Sequence, residues 1–119
     1  MRTPIAGAAL AAALLIATPP LASVRVGKPA PEFRLEDENG TTHSLKKYRG
    51  KVVVLEWTNP GCPFVVRHYD RKTMTRTARA LRDKNVVWLA VNSSHFNKPA
   101  DTRKWRKKHN IPFATLQDP

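Results

Sequence analysis

A single cysteine, Cys62, serves a chain of 119 residues. An internal disulfide is excluded, and Cys62 is left as either a buried structural thiol or a reactive one. Acids are scarce as well: nine Asp and Glu stand against 21 Lys and Arg, a formal charge of +12. No apolar stretch near the N-terminus is long enough to cross a bilayer as a helix. The run Ile5–Ala17 has thirteen residues, whereas a spanning helix needs about 20. Repeats and low-complexity tracts are absent after that run. The length fits one domain and excludes two of ordinary size.

What is present at the N-terminus is one basic residue, Arg2, before the short apolar run, with small residues and prolines after it. This order reads as a secretory signal peptide over residues 1–22, with Ala22 as its last residue. The remaining domain, 23–119, is then exported, periplasmic or extracellular, and keeps no membrane span once the signal is removed. Its roughly 97 residues can bury a modest core.

Along that domain, Phe33–Glu36 alternates apolar and charged residues as a half-buried strand does. Asn39-Gly40 is a hairpin signal in which both central residues accept positive φ, and Thr41–Ser44 is the return strand. Leu45–Tyr48 reads as a helical turn ended by Gly50. Val52–Trp57 is an apolar run broken only by Glu56, the pattern of a parallel strand buried on both faces. After the loop Thr58–Gly61, Pro63 opens a helix predicted to run to about Arg82, with Met74, Ala78 and Leu81 on one stripe. Val86–Val91 is a second buried strand, so strand, helix and strand form a βαβ unit. A helix over Pro99–His109 and a short strand over Phe113–Leu116 follow.

Cys62 falls at the N-cap of the first helix, because proline is favoured at the first helical position. Unpaired N–H groups and the helix dipole at that end lower a thiol's pKa, and the thiolate is the nucleophile. Arg67, about one and a half turns on, adds positive potential. The loop of Pro60 and Gly61 follows a buried strand and places the thiol at the carboxyl end of the sheet, where open α/β sheets bind ligands. Glu56, an acid inside an apolar strand, is a candidate to exchange a proton with the thiol; a glutamate paired with an arginine or facing solvent is the other reading.

The stretch Val52–Val65, VVVLEWTNPGCPFV, resembles the active-site strand, loop and helix start of the thioredoxin superfamily. Val26–Phe33, the Asn39-Gly40 hairpin, Gly50–Val53 and Ile111–Phe113 resemble its exported redoxin branch, the AhpC/TSA or peroxiredoxin-like group. The resemblance spans Val26 to Pro119 and implies an α/β thioredoxin-like fold. It implies that Cys62 is the nucleophile, that Pro63 is the proline common after it, and that Glu56 is the buried proton acceptor of thioredoxins. Val65 stands where the second, resolving cysteine of C-x-x-C belongs. Without that cysteine, attack on a disulfide stops at a mixed disulfide until an external thiol resolves it. Asn59 stands where the peroxidatic pattern P-x-x-x-T-x-x-C has threonine, which puts efficient peroxide reduction in doubt. The family continues beyond this point with a cis-proline loop, two strands and a helix. The expectation is therefore a C-terminally incomplete, truncated domain whose sheet has an unpaired edge.

No cofactor or metal is expected. His68 lies six residues along the helix from Cys62, about 9 Å in rise and 240° round, too far to share an ion. His43, His95 and His109 have no mutual ligand spacing. Between Arg67 and Lys108 stand thirteen Lys or Arg and three Asp, and Lys104–Lys108 interleaves Trp105 with cations. A solvated helix face is the preferred reading, with no nucleic acid as partner and Trp105 as the core anchor of its helix. The leading function is a thiol-dependent oxidoreductase of the envelope with disulfide or peroxide as substrate. It needs an external thiol or disulfide reductant to resolve Cys62. The alternatives are a non-catalytic thioredoxin-fold module that binds an anionic partner through its basic helices, and an inactive fragment.

Overall fold

The computed structural model describes residues 24–119, so the proposed signal peptide lies outside the described residues. The chain divides into two units at Pro31. In the first unit, residues 24–31 are extended apart from one turn, in which Lys28 N–H donates to the Arg25 carbonyl at 3.2 Å.

The second unit, Glu32–Pro119, holds five strands: β1 (Arg34–Asp37), β2 (Thr42–Ser44), β3 (Val52–Trp57), β4 (Val86–Asn92) and β5 (Thr115–Gln117). A 3-10 turn occupies Leu45–Tyr48, and the helices are α1 (Pro63–Asp70), α2 (Thr73–Ala80) and α3 (Pro99–His109). Sheet order is β2-β1-β5-β4-β3. β3, β4 and β5 are parallel, with Val54 opposite Trp88 and Val91 opposite Leu116. β1 is antiparallel to both of its neighbours, β2 and β5. Each step from β3 to β4 to β5 moves one strand over through a helical crossover. All three helices consequently contribute to one apolar cluster on a single face of the sheet: Tyr69, Trp105, Ile111 and Phe113 around Ala90, flanked by Val65, Met74 and Trp88. Trp105 is buried there as its helix's anchor, edge-on to Tyr69 at 5.3 Å between ring centroids.

β4 alternates strictly. Trp88 and Ala90 face the helices, while Val87, Leu89 and Val91 join Leu116, Leu35 and Tyr48 on the opposite face. That second face is only partly covered. Phe33, Leu35, Leu55, Trp57 and Leu116 line an open apolar hollow, and Trp57 is 64% exposed. β3 was expected to be buried on both faces; it is an edge strand, and Val52, Leu55 and Trp57 are exposed.

Two local expectations are corrected. The helix predicted from Pro63 to about Arg82 is broken at Arg71-Lys72, where Lys72 takes the left-handed conformation with φ 60°. In the hairpin, Gly40 alone takes positive φ (80°) and Asn39 does not. The reason is Asp37. Its Oδ1 accepts the N–H groups of Asn39 at 2.8 Å and Thr41 at 2.9 Å, which closes a three-residue loop in place of a two-residue one.

The tip of this hairpin is held from inside. Glu38 is 1% exposed, and its carboxylate accepts from Arg106 of α3, from Asn39 Nδ2 at 2.9 Å and from Thr115 N–H of β5 at 3.0 Å. On β1 and β2, His43 lies between Asp37, at 3.1 Å from its Nε2, and the Tyr48 hydroxyl at its Nδ1. Burial pushes the Asp37 carboxyl up, but the N–H groups of Thr41 and Asn39 and the His43 ring outweigh it and hold it below the usual range.

Candidate functional site

β3 ends at Trp57, and the chain turns through Thr58–Gly61 into α1. Thr58 N–H donates to the Val91 carbonyl at 2.9 Å, which ties the start of the loop to the end of β4. Asn59 then shapes the turn. Its side-chain Oδ1 accepts Gly61 N–H at 2.8 Å, and its carbonyl accepts Cys62 N–H at 2.9 Å. A Cβ at position 61 would stand 3.2 Å from that Oδ1, tighter than an ordinary contact, so glycine leaves the bond undisturbed. Sequence reasoning treated Asn59 only as a missing threonine. Its Asx-turn geometry, an Asn two residues before a Gly, is the signal that identifies it.

Cys62 is the N-cap of α1, with extended backbone (φ −87°, ψ 120°), Pro63 at the first helical position and no acid in the first turn. Its carbonyl accepts Val66 N–H at 2.9 Å, the first bond of the helix. The thiol is free and half-buried. Pro60, Gly61, Cys62 and Pro63 thus form one continuous loop and helix start at the carboxyl end of β3. The N–H groups of Phe64 and Val65 belong to the first turn, where the helix has no partner for them. Arg67 lies on the exposed surface of α1 beside Pro63 and Val66.

Glu56 sits in the middle of a network. It is half-buried on β3; Oε1 accepts the Tyr69 hydroxyl of α1 at 2.7 Å, and Oε2 accepts Trp88 Nε1 of β4 at 2.8 Å. Tyr69 is 2% exposed. Burial and the adjacent carboxylate both push its phenol far above the ordinary tyrosine range, so it remains a donor. Glu56 therefore joins strand, helix and neighbouring strand, two residues before the loop that leads to Cys62, a tie invisible in the linear sequence because Tyr69 and Trp88 are distant along it.

The histidines are dispersed. His43 belongs to the hairpin, His68 is exposed on α1, and His95 packs edge-on to Phe96 at 5.4 Å between centroids. His109 packs tilted against Trp105 at 4.0 Å between ring centroids, and its Nδ1 lies 3.8 Å from Asp70. No helix among the described residues is long and apolar enough to cross a membrane.

The family profile of AhpC/TSA matches residues 26–119. The chain belongs to the AhpC/TSA family. Peroxiredoxin Bcp of Bacillus subtilis (strain 168) is 27% identical over 104 residues, 81% of this chain and 59% of that protein. Chloroplastic peroxiredoxin Q of Populus jackii is 30% identical over 105 residues, 82% of this chain and 44% of that protein. Among solved structures, a secreted disulfide oxidoreductase of Mycobacterium tuberculosis superposes with a TM-score of 0.62 at 21% identity, covering 72% of this chain and 60% of the other. That likeness establishes a thioredoxin-like fold. The chain spans about half the length of the curated relatives it matches.

Proposed function

We propose that this AhpC/TSA chain is a thiol-dependent oxidoreductase of the cell envelope acting through one nucleophile, Cys62. The observation that carries the reading is a free thiol at the N-cap of α1, with proline at the first helical position and no acid in the first turn. A thiolate there faces the positive end of the helix dipole and unpaired N–H groups, with the Arg67 side chain as a further source of positive potential. With a disulfide substrate, Cys62 Sγ forms a bond to one sulfur, and the other sulfur leaves as thiolate. With a peroxide, Sγ takes one oxygen as the O–O bond breaks, and water or an alcohol leaves. In both cases a second thiol from outside these 119 residues must complete the cycle, since they hold one cysteine. Glu56 is proposed as the proton acceptor. Each of its oxygens receives one bond and keeps a second lone pair. Export rests on the signal-like segment 1–22 and is part of the same proposal.

The second reading is a non-catalytic module whose basic α2 and α3 hold an anionic partner. It is favoured by the cluster of Lys72, Arg79 and Lys108 around one groove between those helices. The pH dependence of Cys62 alkylation tests the first reading. An apparent pKa well below the free-thiol value of about 8.5 supports a helix-stabilised thiolate. A value at or above about 8.5 refutes it. Cys62→Ser separates the readings, because it abolishes thiol chemistry and spares binding through charge.

A further inference from the structure

A groove begins beside the cysteine and runs down α1. Gly61, Pro63, Val66, Arg67, Asp70 and Arg71 line it, an open hollow of about 450 Å³ that takes in both chain neighbours of Cys62 but not Cys62 itself. The helical members recur at spacings of three and four residues, so they share one face of the helix. From Pro63 to Arg71 is eight residues, or about 12 Å of helix rise. An extended polypeptide covers that distance with about four residues. A hydroperoxide or a small disulfide needs no such track. Its two cations face one acid, Asp70. At the cysteine end stands Phe96, which is 58% exposed and whose Cε2 lies 4.0 Å from the place a Gly61 Cβ would occupy. An exposed aromatic beside a reactive thiol is suited to receive an apolar side chain.

We infer that this groove is a docking track for an acidic, extended segment of a polypeptide that carries the disulfide presented to Cys62. The inference rests on the reactivity proposed for Cys62 and adds the class of substrate. Carboxylates of the segment meet Arg67 and Arg71, an apolar side chain rests on Phe96, and the disulfide sulfur lies at the helix start. Cys62 Sγ bonds to one partner sulfur as the partner's S–S bond breaks and the other sulfur departs as thiolate. An external thiol then attacks the mixed disulfide, bonds to the partner or to Cys62, and frees the other as a thiol. Charge complementarity at the groove rim sets encounter rate and register, whereas the helix start sets reactivity.

The test compares single-turnover rates of the full chain with two four-residue peptides activated as pyridyl disulfides, one with two aspartates and one with two lysines flanking the cysteine. The neutral reagent 2,2′-dithiodipyridine serves as reference, and thiopyridone release reports all three reactions. The expected result at low salt is a rate at least tenfold greater for the acidic peptide than for the basic one. Arg71→Glu should reduce that ratio about tenfold, and Phe96→Ala should slow both peptides relative to dithiodipyridine. Lys84→Glu, at the turn before β4 and thus at the opposite end of the sheet, makes the same change in net charge and should leave the ratio within twofold. Equal rates for the two peptides, or equal effects of Arg71→Glu and Lys84→Glu, would overturn the docking track while leaving the thiol chemistry in place. Absence of release from dithiodipyridine would overturn the reactivity of Cys62, and the docking inference with it.

Discussion

Replacing Glu56 by leucine removes the two acceptors that hold Tyr69 and Trp88 while keeping a side chain of similar size. Tyr69 is almost fully buried and Trp88 half-buried, so water can replace the lost partner of the first poorly and of the second only in part. An orphaned buried donor costs about 1–3 kcal/mol, and hydrogen bonds to a charged acceptor lie at the upper end of that range. The variant should lose about 3 kcal/mol in all. For a domain of this size, 1 kcal/mol moves the midpoint by roughly 4–8 °C, so its Tm should fall by about 12–24 °C. Glu56→Gln should cost only about 1 kcal/mol, because its amide can accept from Trp88 and donate to the phenol oxygen of Tyr69. Tyr69→Phe should cost about as much, and in the Glu56→Leu background it should cost almost nothing, since the bond it deletes is already gone. Thermal melts followed by circular dichroism measure all four. A Glu56→Leu chain within 0.5 kcal/mol of the parent would refute the network, as would additive losses in the double variant.

Arg106→Met should cost about 3–5 kcal/mol in urea unfolding, because Glu38 is left charged and buried without its cation; adding Glu38→Gln should recover part of the loss. Stability should also fall through His109 as pH drops below about 6.5. Burial is the main cause that lowers its pKa in the folded state, with Lys108 adding to it and Asp70 opposing; the packed faces of Tyr69 and Trp105 carry no charge. The unfolded chain then binds a proton more readily than the folded one. The stabilisation is therefore complete above the unfolded value of about 6.5 and is lost as pH falls from there through the folded value. His109→Phe should flatten that part of the profile in thermal melts; a profile unchanged by the substitution would refute the assignment.

The features legible in the sequence are those encoded locally. Pro63 announces the start of α1 and makes Cys62 its cap. The helix expected over Pro99–His109 is α3, and the apolar runs at β3 and β4 name the parallel pair. What was not legible depends on partners remote in the chain or on backbone choices that side chains signal weakly. Lys72 is an ordinary helix former, and only the folded chain shows its left-handed break between α1 and α2. Glu38 looks like a surface residue in an Asp-Glu-Asn-Gly turn, yet an arginine and a backbone N–H more than 60 positions away bury it. The apolar run of β3 predicted burial on both faces. Its outward face, with Leu55 and Trp57, stands uncovered among the described residues, and what covers a strand's face is set by other elements rather than by its own pattern.

Position 65 bears on how the proposed thiol chemistry would be completed. In C-x-x-C it would carry the resolving thiol, one turn into the helix from the nucleophile. Here Val65 packs against the cluster of Tyr69, Ala90 and Trp105, between helix and sheet. A β-branched side chain there serves the core, and the turn of helix that follows is anchored through Tyr69 to Glu56. The same first turn of α1 thus carries Cys62 at its N-cap and closes the apolar core on its inner side. A resolving thiol at position 65 would have to share that packing position. On the proposed reading, the half-buried Cys62 at the loop is met by a second thiol from outside these residues, which suits a surface that can hold a partner in register beside it.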